Sequence, residues 1–207
     1  MTPIFAVVGH PNKGKSSIVA TLARDDSVAI SPESGTTRFS NSLDVSVGAS
    51  HYTLVDTPGF QRPTRVLQWL QAHAATAEKR QAAVQSFVTD AECKSNFPDE
   101  VQLLTPIMNG AAILYVVDGS RPYGAEYEAE MEILRWTGQA SMALINPIES
   151  QQHVQDWQQA LGQYFKVVRV FNALQADLAA LICQASPCAE KVLFCSTGTE
   201  ATMYAMR

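Results

Sequence analysis

The apolar positions of this chain repeat at two spacings. Ile4-Phe5-Ala6-Val7-Val8 is an unbroken apolar run, the mark of a buried strand, and Ser17 to Leu22 reads as an amphipathic helix after a glycine-containing gap. Leu43, Val45 and Val47 alternate with Asp44 and Ser46, Gly48-Ala49-Ser50 turns the chain, and Tyr52-Thr53-Leu54-Val55 completes a hairpin. From residue 61 to residue 110 the spacing becomes helical. Val66, Leu67 and Leu70 share one face, as do Ala83, Val84, Phe87 and Val88; Phe97-Pro98 breaks the pattern, and Val101, Leu103, Leu104 and Ile107 resume it. Ala111 to Val117 then reads as a central parallel strand ending at Asp118. Tyr127, Met131, Ile133, Leu134 and Trp136 mark a helix that opens on acidic residues and stops at Gly138. Met142 to Ile145 is a strand ending at Asn146-Pro147, and Val154, Trp157, Leu161 and Tyr164 space as a helix. Val167 to Phe171 is a strand ending at Asn172-Ala173, and Leu174 to Cys183 is a last helix. Strand and helix alternate, which predicts an α/β fold: a doubly wound, mostly parallel, six-stranded sheet flanked by helices. The stretch 61–110 is long for a connection within one sheet and predicts a helical insertion.

Composition narrows the class. A chain of 207 residues with 46% hydrophobic content fits one α/β domain with a sizeable core. A net charge of −5 provides no electrostatic footprint for wrapping nucleic acid. No apolar run reaches the length of a membrane span. The first strand follows Met1 too closely for a signal peptide. Cys93, Cys183, Cys188 and Cys195 form no C-x-x-C pair and no zinc spacing, which suits free thiols and a cytoplasmic location.

Candidate chemistry lies in the gap after the first strand. Gly9-His10-Pro11-Asn12-Lys13-Gly14-Lys15-Ser16 reads G-x-x-x-x-G-K-S, the phosphate-binding P-loop, with its strand before and its helix after. Gly9 and Gly14 let backbone N–H groups turn inward to phosphate oxygens, and the N-terminus of the following helix adds to the attraction. Lys15 is spaced to reach β- and γ-phosphates, and Ser16 to offer its hydroxyl to Mg²⁺. Downstream, Asp56-Thr57-Pro58-Gly59 closes a strand. An acid there suits the outer shell of the Mg²⁺, and the Gly59 amide suits a γ-phosphate contact.

With these residues the chain resembles the bacterial small GTPases of the translation-factor class, the Era/MnmE/Der group. GHPNKGKS at the P-loop, SGTTR in a first switch and DTPG in a second carry the resemblance, which covers residues 3 to 184. It is most similar in style to N-terminal GTPase domains of bacterial proteins with a long, uncharacterised C-terminal domain, and so implies a fragment or truncated relative of a longer protein. It also implies a GTP-binding, GTP-hydrolysing switch. Lys13, Gly14, Lys15, Ser16 and Ser17 would supply phosphate-facing amides. Ser16 and Thr37 would ligate Mg²⁺, Thr37 only with triphosphate bound, and Asp56 would hold a Mg²⁺-bound water. Asn12 matches the asparagine that helps bind K⁺ in potassium-dependent members; a turn-compatible residue without a ligand is the equal alternative. Ras-like enzymes place a water-orienting glutamine after the second-switch glycine. Here that residue is Phe60. The expectation is slow intrinsic hydrolysis, accelerated by a cation, a partner or a nucleotide-dependent dimer. A protein or RNA partner would be reached through the switches and residues 61–110.

The base-reading motif of the group, N-K-x-D, falls on Asn146-Pro147-Ile148-Glu149. Asn146 is kept, the lysine is lost, and the aspartate is a glutamate. Asn172-Ala173 falls where the group offers a backbone N–H to guanine O6. Two alternatives therefore stay open beside the GTPase: a nucleotide-binding interaction module of low turnover, and an ATP-binding protein. Residues 185–207 fall outside the pattern. Lys191 to Met203 resembles a short phosphate-binding stretch of pyridoxal-phosphate aminotransferases, but nothing else in the chain does. No cofactor site is assigned there; a fusion scar, a truncated reading frame and coincidence stay open as its origin. The domain reading is thus 1–184 for the GTPase domain, with 61–110 inserted, and 185–207 for the tail.

Overall fold

A computed structural model of the protein describes residues 2–23, 41–47 and 50–171. The segment with Thr37 expected to be a first switch, Gly48 and Ala49 of the expected turn, the helix expected over 174–183, Asn172, Ala173 and the tail lie outside the described residues.

Six strands form one sheet in the order β2-β3-β1-β4-β5-β6. They are β1 (Ile4–Val8), β2 (Asn41–Val47), β3 (Ser50–Asp56), β4 (Ala112–Asp118), β5 (Ser141–Asn146) and β6 (Val168–Val170). Only the β2–β3 pair, the expected hairpin, is antiparallel. The central strands read as continuous apolar runs because both their faces are covered. Ala6, Val8, Ile113, Tyr115, Val117, Ala143 and Ile145 point to one side of the sheet. Val7, Leu114, Val116 and Leu144 alternate with them onto the other, where Ile18 and Val19 of α1 (Lys15–Ala23) meet them.

The long connection between β3 and β4 folds into α2 (Pro63–His73), a short 3-10 turn (Ala77–Lys79), α3 (Arg80–Thr89), α4 (Ala91–Asn96) and α5 (Pro98–Met108). These helices carry the core of the first face: Val66, Leu70, Val84, Phe87, Leu103, Leu104 and Ile107 are fully buried there. They share it with Met131 and Ile133 of α6 (Glu126–Trp136) and Trp157 of α7 (Val154–Leu161). The break between α3 and α4 escaped the helical spacing. Its cause is Asp90, whose carboxylate accepts the Cys93 N–H at 2.8 Å and caps a new helix. The helix expected to run to Tyr164 stops at Leu161 instead. Gly162 follows, and the N–H groups of Tyr164 and Phe165 turn back onto Leu161 O. Gly138 behaves as expected, ending the α6 segment at φ 70°. Cys93 is a buried free thiol, pushed up to about 12 by desolvation and Asp90. Among the described residues no helix is long and apolar enough to cross a membrane.

Candidate functional site

The carboxyl ends of β1, β3, β4 and β5 converge, because register sets Val7 beside Asp56, Val8 beside Tyr115 and Asp118 beside Asn146. The loop leaving β1 fills the space above them. Two of its residues must be glycine. At Gly9 (φ 147°) a Cβ would stand 2.3 Å from Val116 O, and at Gly14 (φ 78°) 2.4 Å from Asn146 Nδ2. Asn12 takes the left-handed conformation at φ 58°, which its short polar side chain tolerates. Between them the loop closes on itself: Lys15 Nζ donates to His10 O at 3.0 Å. Burial pushes the Lys15 ammonium down to about 8, with Asp56 and Glu130 opposing. A buried cation at the head of a helix suits a polyanionic phosphate.

The second segment docks onto this loop. Ser16 donates its hydroxyl to Asp56 Oδ2 at 2.8 Å, so two of the three residues expected at Mg²⁺ stand together. A hydroxyl and a carboxylate are the hard oxygen donors that Mg²⁺ prefers, and the pair fits such an ion. Thr57, fully buried, donates to Val7 O at 2.7 Å and ties the strand end to β1. Gly59 lies flat on the loop; a Cβ there would stand 2.6 Å from Pro11 N. Phe60 donates its N–H to Gly9 O at 3.2 Å while its ring is completely buried in the core. The side chain in the water-orienting position therefore points away from the loop.

Asn146 joins the site through a long bond from Nδ2 to Lys13 O, 3.4 Å. Beyond it Ile148 and Glu149 are exposed. Lys13, expected to contribute an amide, also carries a buried side chain: its Nζ is 3.7 Å from Asp118 Oδ2, which Arg121 Nε approaches at 3.4 Å. Burial lowers the Lys13 ammonium, and Asp118 opposes the shift.

A further cluster behind the loop was missed in the sequence. His10 Nδ1 is 2.7 Å from Glu130 Oε1, and the Tyr115 hydroxyl donates to Glu130 Oε2 at 2.9 Å. Glu130 is fully buried; desolvation raises its carboxyl, while His10 and Tyr115 hold it down. The available signal was its place on the apolar face of α6, between Tyr127, Met131 and Leu134. Thr37, Asn172 and Ala173 lie outside the described residues, and Ser17 follows Ser16 in the first turn of α1.

Glycine loop, helix, buried lysine and the Ser16–Asp56 pair on a mostly parallel sheet define a P-loop nucleotide-binding domain. The chain belongs to the family described as 50S ribosome-binding GTPase, whose model matches residues 4–173. GTPase Der of Mycoplasma pneumoniae is 32% identical over 124 residues, 60% of this chain and 22% of that protein. GTPase Der of Halorhodospira halophila is 38% identical over 90 residues, 42% of this chain and 19% of that protein. The matched part is thus about a fifth of the length of these curated relatives. Among solved structures, a tyrosine-to-alanine variant of Aquifex aeolicus Era bound to GDP and AlF4⁻ aligns with TM-score 0.53 and 20% identity, over 89% of this chain and 56% of that one. Era in complex with MgGDPNP and nucleotides 1506-1542 of 16S ribosomal RNA aligns with TM-score 0.54 and 19% identity, over 94% and 59%. Both show the same fold.

Proposed function

We propose that this domain binds GTP with Mg²⁺, hydrolyses it to GDP and phosphate, and changes state when the γ-phosphate leaves. The observation that carries this reading is the 2.8 Å bond between Ser16 Oγ and Asp56 Oδ2 beside the buried Lys15. It brings the phosphate loop and the γ-phosphate-sensing segment to one point. Lys13 to Ser17 supply amides, and Lys15 an ammonium that would exchange His10 O for phosphate oxygens. Ser16 and Thr37 would ligate Mg²⁺ and Asp56 would hold a Mg²⁺-bound water; the ion would supply positive charge that neutralises the phosphates. The Gly59 amide meets the γ-phosphate. Water oxygen attacks the γ-phosphorus, the bond to the bridging oxygen breaks with its electron pair going to GDP, and the water proton passes to the phosphate.

With Phe60 buried, no side chain at that position orients the water, so the intrinsic rate is slow. Asn12, exposed at the loop's outer edge, is the residue to hold K⁺, whose charge at the transferring phosphoryl group would raise the rate. Phosphate release over many turnovers, lost in Lys15→Ala, tests the activity; equal, fast rates in K⁺ and Na⁺ buffers reject the cation. A second reading, relaxed base choice or ATP binding, is favoured by Pro147 and the exposed Glu149. A site lacking paired acceptors for guanine N1 and N2 discriminates weakly. Titration of labelled GDP against ADP separates the two. Partners of the switch, protein or RNA or a second copy of the chain, would be met in the cytoplasm through the switch segments and residues 61–110.

A further inference from the structure

Glu100, like Glu130, is a fully buried carboxylate among the described residues, and it lies in the long connection rather than in the phosphate loop. Its Oε1 accepts the backbone N–H of Gln61 at 3.1 Å and that of Arg62 at 2.6 Å. These are the residues immediately after Gly59 and Phe60. Oε2 has no hydrogen-bond partner among the described residues, so the polar contacts described for this charge are those two amides. Two helices begin here. Glu100 lies in the first turn of α5, and Arg62 is the residue that opens α2, which has no side-chain cap of its own. A carboxylate between two helix N-termini is held by both dipoles, which is why it tolerates burial without a cation. The Arg62 guanidinium turns aside instead: it donates to Asn96 O and stacks over the Phe97 ring, 5.1 Å from its centroid. Residues 61 and 62 are thus fastened to the α4–α5 junction by four separate contacts, while Phe60 is bonded to the phosphate loop and Gly59 lies against it.

We infer that Glu100 is a positioning residue for the γ-phosphate-sensing segment: it fixes the backbone after Gly59 from the α5 side and transmits its movement to α4 and α5. This rests on the switch reading above. The physical argument is one of leverage. Gly59 and Gln61 are two residues apart, so the Gly59 amide cannot shift toward a γ-phosphate without pulling on the bonds to Glu100. Charge-assisted hydrogen bonds are about twice as strong as neutral ones, which makes this anchor the stiff end of the segment. Glutamine at position 100 keeps an oxygen acceptor for both amides and sets its NH₂ where Oε2 has no described partner; alanine removes the anchor.

The test measures the affinity of wild type, Glu100→Gln and Glu100→Ala for a fluorescent non-hydrolysable GTP analogue and for labelled GDP, with kcat and KM. The expected result is a triphosphate-to-diphosphate affinity ratio at least about tenfold lower in Glu100→Ala, a kcat that falls more than KM rises, and substantial rescue in Glu100→Gln. A folded Glu100→Ala with an unchanged ratio, or equal defects in both variants, overturns the inference. Where Glu100→Ala does not fold, amide exchange at Gln61 and Arg62 in the wild-type protein decides. Protection that differs between the GDP and GTP-analogue complexes supports the inference, and identical protection overturns it. A wild type that binds neither nucleotide refutes the switch reading itself, a result distinct from these.

Discussion

Substituting Phe60 by glutamine separates a structural position from a catalytic one. By spacing, Phe60→Gln would install the water-orienting residue of Ras-like enzymes. By structure, the side chain at 60 is 0% exposed and belongs to the same cluster as Val66, Leu70, Leu103 and Ile107. Removing a buried phenylalanine ring costs about 3–5 kcal/mol. Placing an unpartnered amide in the same space adds about 1–3 kcal/mol. The sum, about 4–8 kcal/mol, is comparable to the whole stability of a typical domain, about 5–15 kcal/mol. Phe60→Gln is therefore expected to lower the urea midpoint severely or to abolish folding, with no gain in phosphate release, whereas Phe60→Leu keeps much of the stability. Equilibrium urea unfolding followed by circular dichroism, paired with single-turnover hydrolysis, measures both quantities. A variant with a wild-type midpoint and a faster rate would refute the placement of this side chain in the core.

Three further outcomes follow from the same geometry. Lys15 titrates near 8 in the nucleotide-free protein against 10.5 for an ordinary lysine, so between those values the unfolded chain binds more protons than the native one. Its burial penalty is fully present below pH 8 and is relieved as pH rises through that window; triphosphate affinity, which needs the ammonium, falls up to about tenfold per pH unit above 8. Fluorescent-nucleotide titrations from pH 7 to 9.5 check this, and a flat profile contradicts it. Gly59→Ala brings a Cβ to within 2.6 Å of Pro11 backbone, which forces the sensing segment off the phosphate loop; hydrolysis should be lost, while GDP affinity changes by less than about threefold. Tyr115→Phe removes one of the two side-chain donors to the buried Glu130 and should cost about 1–3 kcal/mol in denaturant unfolding; a cost near zero would show that Oε2 is satisfied otherwise.

Local pattern alone determined much of this protein. The apolar runs at Ile4–Val8 and from Ala111 to Val117 named themselves as buried strands, because covering both faces of a strand leaves no polar alternation. Gly9 and Gly14 marked the phosphate loop because left-handed backbone and close approach exclude other residues, and the β2–β3 hairpin followed from its period of two. The family was legible for the same reason: its motifs are short and local. Other features were decided only in three dimensions. Helical spacing identified residues 61–110 as helices but not that Val66, Phe87 and Leu104 fill the principal core, since a spacing tells which side is buried and not against what. The fate of Phe60, the reach of Lys13 to Asp118 and the bonds from His10 to Glu130 and from Glu100 to Gln61 and Arg62 join residues far apart in the chain. No local signal records such pairs. A buried carboxylate needs partners, but only the folded backbone decides which donors arrive beside it.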